Sequence, residues 1–185
     1  KASTQLVYGR RLAGDHWLVS RAAIGAAHAY GNSAQVPYSE QFWVGGANSI
    51  RAFTVRSIGG SYRPSQDVRD SYFDQTGTFK FEFNTEYRFP ILGPLHGALF
   101  IDAGNVWLLK RDPLRPGGEL KASTFLRDIA LGTGAGLRFD ISMLVIRADL
   151  GIGIHAPWDT GRRGYYNMTS FGNSLAFHLA IGYPF

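Results

Sequence analysis

Between residues 78 and 89 the chain alternates strictly, with Phe79, Phe81, Phe83, Thr85, Tyr87 and Phe89 on one side and Lys80, Glu82, Asn84, Glu86 and Arg88 on the other. A period of two belongs to a β-strand, whose successive side chains point to opposite faces. The same period predicts three later strands with small or charged residues on the polar side. Ile129, Leu131, Thr133, Ala135, Leu137 and Phe139 oppose Gly132, Gly134, Gly136, Arg138 and Asp140. Leu144, Ile146, Ala148, Leu150 and Ile152 oppose Arg147, Asp149, Gly151 and Gly153, and Leu175, Phe177, Leu179, Ile181, Tyr183 and Phe185 oppose Ser174, Ala176, His178, Ala180 and Gly182. Residues 95–107 read as a strand that is apolar on both sides except at His96, Asp102 and Asn105, while 4–11 and 17–30 alternate more weakly.

Several of these roughly seven strands approach a dozen residues, longer than the ~5 to 6 usual in soluble proteins and close to the ~9 to 11 tilted residues that cross a bilayer. The connections alternate as well. Residues 12–15, 90–94 and 140–142 are short, whereas 31–75, 108–128 and 156–173 are long. Outer-membrane barrels sort their loops in this way, short at the periplasmic rim and long outside, and a soluble β-sandwich has no reason to do so. The expected fold class is therefore all-β, an antiparallel transmembrane β-barrel. An odd count leaves open edges in lipid, where unpaired backbone groups cost several kcal/mol each, so further strands are expected: either one more within this chain, closing a small eight-stranded barrel, or others that make it the C-terminal part of a larger one.

Composition sharpens this picture without changing it. The 185 residues include 23 Gly, 26 aromatics (13 Phe, 9 Tyr and 4 Trp) and no Cys, which removes disulfide frameworks and zinc–thiolate sites. A net charge of +5 arises from 19 Lys and Arg interleaved with 14 acids, without the clustered basic stripe of a nucleic-acid surface. No run of about 18 apolar residues predicts a transmembrane helix. The chain opens on Lys1 with no initiating Met and no signal-peptide pattern, which suggests a piece of something longer.

Four motifs, in order, carry a resemblance. Residues 39–53 read SEQFWVGGANSIRAF, with Phe42, Gly45, Gly46, Ser49, Ile50, Arg51, Ala52 and Phe53 at the positions of the pattern F-x-x-G-G-x-x-S-[VIL]-R-G-[FY]. Residues 86–90 read EYRFP, residues 100–107 read FIDAGNVW, and Phe177, Leu179, Ile181, Tyr183 and Phe185 alternate to a C-terminal Phe like an outer-membrane sorting signal. Together they resemble the outer-membrane assembly and translocation superfamily typified by BamA and TamA. The stretch SIGGSYRP at 57–64 looks most like the TamA-like branch of Bacteroidetes.

The resemblance implies that residues 1–185 form about the last seven strands of a sixteen-stranded barrel in the bacterial outer membrane, with the remaining strands and periplasmic POTRA modules upstream. It implies that the loop at about 31–75 folds into the lumen, where Arg51 would pair with Asp102 and Glu86 would offer a second carboxylate. It also implies a non-enzymatic component with no cofactor. Its partners would be outer-membrane lipids, unfolded outer-membrane protein substrates, and periplasmic or inner-membrane assembly proteins. Without the motif, a lone loop arginine is ordinarily solvated. One departure stands out, because Ala52 occupies the family's Gly position. Either its backbone keeps a negative φ or the loop tip differs.

Other constellations are weaker. Gly45-Gly46 lacks the strand-to-helix context of a dinucleotide fingerprint and suits a sharp bend. Asp67, Asp70 and Asp74 miss calcium-loop spacing, and His16, His28, His96, His155 and His178 lack the spacing of a zinc protease. Trp107 and Trp158 fit an aromatic girdle. An outer-membrane pore or a barrel hydrolase remain alternatives, although Ser174 and His178, four apart on a strand, would lie about 13 Å from one another.

Overall fold

The computed structural model describes residues 1–32, 35–63 and 75–185. Asp67, Asp70, Asp74 and Pro64 therefore lie outside the described residues. Seven strands form one antiparallel sheet in simple sequence order: β1 (Ala2–Ala13), β2 (His16–Ala26), β3 (Phe79–Leu92), β4 (Leu95–Trp107), β5 (Ala130–Asp140), β6 (Val145–His155) and β7 (Leu175–Ile181). Two short 3-10 turns, Tyr38–Glu40 and Gly172–Ser174, sit in the long connections. No helix among the described residues is long and apolar enough to cross a membrane.

The alternation seen in the sequence becomes the two faces of this sheet. Phe83, Leu99, Ile101, Leu137, Phe139, Ile146, Leu150, Phe177, Leu179 and Ile181 are exposed on the outer face. On the inner face Glu82, Asn84, Glu86, Asp102, Arg138, Arg147 and Asp149 are buried. A water-soluble protein would present the opposite arrangement, since charged residues are almost never fully buried unless paired. The inner face is covered by the β2–β3 connection, and this loop brings its own apolar cluster. Phe42, Val44, Ile50, Ala52, Phe53 and Ile58 pack with Val106, Ala130, Ala156, Trp158 and Met168.

Several strand ends differ from the expectation. β2 stops at Ala26 instead of residue 30, whereas β3 runs past Pro90 to Leu92. Pro90 lacks an N–H, and the register shift between Pro90 and Leu92 absorbs it without breaking the strand. The largest difference lies at the C-terminus. The strand ends at Ile181: Gly182 still donates its N–H to the Val145 carbonyl at 2.7 Å, but its φ of 85° is a left-handed value that stops the alternation. Tyr183 and Phe185 consequently leave the outer series of Phe177, Leu179 and Ile181. The Arg88 guanidinium lies 4.2 Å from the Tyr183 ring centre and the Arg21 guanidinium 5.4 Å from that of Phe185.

Neither tryptophan forms an exposed girdle. Trp158 belongs to the loop cluster, edge-on to Phe53 at 6.0 Å, and Trp107 is covered by the rings of Phe79 and Phe125. Both are buried because the long connections fold back over the strand ends, which the strand pattern alone does not show.

Candidate functional site

The site is assembled by the loop that joins β2 to β3. Phe42 pairs by backbone with Gly77, and its ring lies over Gly25, where a Cβ would strike it. Gly45 and Gly46 then adopt φ 96° and 89°, so the chain turns sharply at residues free of a Cβ penalty. Ser49 closes the turn by accepting from the Gly45 N–H at 2.9 Å, while Gly46 N–H donates to the Phe53 carbonyl at 2.8 Å. Ser49 also donates to Glu82, and its carbonyl accepts from Asn84 Nδ2 at 2.8 Å.

This turn delivers Arg51, fully buried, onto the inner face of β3 and β4. Its Nε and one Nη bind the two oxygens of Asp102 at 2.8 and 2.9 Å, a two-pronged pairing that only a guanidinium makes. The other Nη reaches Glu86 Oε2 at 2.5 Å. Asp102 also accepts the backbone N–H of Arg51 at 3.0 Å and Asn84 Nδ2 at 2.8 Å. The guanidinium plane lies 3.5 Å from the centre of the Phe100 ring. Burial works against the charge, but the hydrogen bonds to Asp102 and the proximity of both carboxylates outweigh it and raise the Arg51 pKa. An arginine guanidinium stays protonated in proteins, so Arg51 carries a permanent positive charge.

Ala52 keeps a negative φ, as Arg56 and Ser142 are the non-glycine residues with positive values among the described residues. Its Cβ instead occupies the space that a side chain at position 132 would need, and Gly132 leaves that space open. Gly151 does the same beneath the Arg51 carbonyl. The loop thus lies directly on the backbone of β5 and β6.

Residues 2–185 match a family model described as the Omp85 superfamily domain. The chain belongs to the Omp85 superfamily. Over 89 residues it is also 30% identical to the outer membrane protein assembly factor BamA of Neisseria meningitidis serogroup B (strain ATCC BAA-335 / MC58), a stretch covering 45% of this chain and 11% of that protein. The chain thus corresponds to a small part of the length of this relative. As an Omp85 barrel segment it resides in the bacterial outer membrane.

The Omp85 site extends beyond the three residues expected from the motifs. Arg138 donates to Asp149 at 2.6 Å and to Glu86 at 2.9 Å, and Arg88 donates to Glu86 at 2.7 Å. Arg147 donates to Asp149 and to the Ala47 carbonyl, both at 2.9 Å, and also to Asn48. Arg138 and Arg147 are direct cross-strand neighbours, a like-charge pairing that is unfavourable unless an anion is shared. Asp149 supplies it. Inward-pointing charges at matched positions of adjacent strands were the available signal for this half of the network. The C-terminal residues do not join it as one group: Phe177, Leu179 and Ile181 face outward, and Tyr183 and Phe185 turn toward Arg88 and Arg21. Among the described residues no group of three or more His, Asp or Glu has metal-binding geometry.

Proposed function

We propose that this chain is the closing portion of a sixteen-stranded outer-membrane barrel that assembles or inserts β-barrel proteins, or translocates substrates, through a lateral seam at its last strand. In this reading the β2–β3 loop lies in the lumen as a plug and Arg51 is its latch. The work is non-enzymatic. Incoming chains are recognised through main-chain hydrogen bonds, as in β-augmentation, so many sequences are accepted and the free energy comes from their own folding.

The observation that carries this reading is the state of β7. It pairs with β6 over seven residues, Leu175–Ile181, whereas β4 and β5 pair over ten, and the ladder closes on one last bond, from the Gly182 N–H to the Val145 carbonyl at 2.7 Å, where Gly182 turns left-handed. A short, easily frayed terminal strand is what a seam needs, because opening it breaks few ladder bonds. The Arg51 pairing supports the plug, since a buried two-pronged ion pair holds a loop in one position.

The decisive experiment uses the full-length protein in proteoliposomes, with one cysteine in β7 and one in the barrel's first strand. Oxidation should abolish assembly of an added barrel protein, and reduction should restore it. Equal assembly rates in the two states would remove the lateral seam. High single-channel conductance with the loop in place would favour a pore instead.

A further inference from the structure

His178 projects from the inner face of β7, and its Nε2 lies 2.8 Å from the Arg51 carbonyl oxygen. A carbonyl can only accept, so Nε2 carries the proton and donates. Arg51 therefore has two attachments. Its side chain is held by Glu86 on β3 and Asp102 on β4, and its backbone oxygen is held by β7. The sequence distance between the partners of this last bond is 127 residues, so no local geometry imposes it.

The surroundings make the bond consequential. Just beyond it a cavity of about 530 Å³ opens beside Ala52 and Phe53 of the loop and Leu175 and Ala176 of β7. Packing is thus open where the loop meets the start of β7, and the hydrogen bond spans the junction. Below it, the cross-strand neighbour of His178 is Asp149, which is bound by Arg138 and Arg147. Gly151 lets the Arg51 carbonyl approach this corner, since a Cβ there would strike it.

We propose that His178 is a positioning residue that couples the seating of the loop to the pairing of the terminal strand. With the loop seated, the Arg51 carbonyl tethers β7; with the loop displaced, β7 depends on its seven-residue ladder with β6. By linkage the coupling runs both ways, so an incoming chain that draws β7 away also loosens the loop. The inference rests on reading Arg51 as a latch.

Hydrogen–deuterium exchange on the full-length protein in nanodiscs tests it, comparing wild type, Arg51→Ala, His178→Phe, the double variant and His178→Gln. Arg51→Ala should accelerate exchange in 45–53 and, by roughly fivefold, in 175–181, the range expected for one net hydrogen bond. His178→Phe should accelerate 175–181 to a similar extent, and adding Arg51→Ala should then change that segment little. His178→Gln retains a donor and should stay within about twofold of wild type. Additive effects of the two substitutions on β7, or a Gln variant as fast as Phe, would overturn the coupling while leaving the latch intact. Unchanged exchange in 45–53 in Arg51→Ala would overturn the latch itself, and the coupling with it.

Discussion

Replacing Arg51 by Ala strips Asp102 of two of its four hydrogen bonds, those from Nε and Nη2, and leaves the Arg51 N–H and Asn84. Glu86 is less affected because Arg88 and Arg138 remain bound to it. The lost stability is thus concentrated at Asp102, a fully buried carboxylate without a facing cation. Breaking a buried pair by removing one partner costs about 3 to 5 kcal/mol, and loss of the guanidinium over Phe100 adds about 1 kcal/mol. Arg51→Lys should lose most of the same energy, since a point-charge ammonium cannot engage both carboxylate oxygens and Glu86 together. The double variant Arg51→Ala, Asp102→Asn should recover about half of the loss or more, because the orphaned charge is gone. Urea titrations of the full-length barrel in micelles, followed by tryptophan fluorescence and gel mobility, give the comparison. A single-variant loss under about 1 kcal/mol, or a double variant as damaged as the sum of its parts, would refute the pairing as the loop's main anchor.

The contact between Ala52 and Gly132 makes a compensating pair. Gly132→Ala should destabilise the seated loop by about 1 to 3 kcal/mol through overpacking, and Ala52→Gly in the same protein should restore most of it, measured as the urea midpoint. Gly45→Ala places a Cβ against the Thr54 carbonyl at positive φ, and should cost about 1 to 3 kcal/mol and expose 45–53 to protease. Arg147→Met removes the bonds to Ala47 and Asn48, so exchange at 47–49 should rise markedly while the barrel stays folded; no change there would show that these bonds contribute nothing. Tyr183→Ala should remove the ring over Arg88 and lower stability by about 0.5 to 2 kcal/mol, read from the same titrations.

The strands and their faces were legible because each is long enough for a two-residue period to show and because apolar residues outside and polar residues inside invert the soluble pattern without blurring it. Arg51, Asp102 and Glu86 could be singled out from their motifs, but Arg138, Arg147 and Asp149 stood only as polar positions. Their partnership depends on strand register, which fixes Arg138 opposite Arg147 and lies beyond what one strand's pattern encodes. The C-terminus misled for a different reason. Gly182 occupies an inward position where any small residue suits the alternation, and nothing local distinguishes a strand glycine from one at φ 85°. Trp158 likewise looked like a rim aromatic because a loop's own core has no period to betray it.

The glycines at 132 and 151 have a consequence for exchanging parts between relatives. Their missing side chains record, in the wall, the shape of one particular loop: position 132 is complementary to a methyl group at 52, and position 151 to a carbonyl at 51. A chimera that imports another relative's loop therefore inherits a fit requirement on β5 and β6. Loops with Gly at position 52 should be accepted here with only a small void, whereas this loop should be rejected by any wall carrying a side chain opposite Ala52. Exchange into and out of this wall is thus directional, and the pair of residues at 52 and 132 forecasts its direction before any chimera is built.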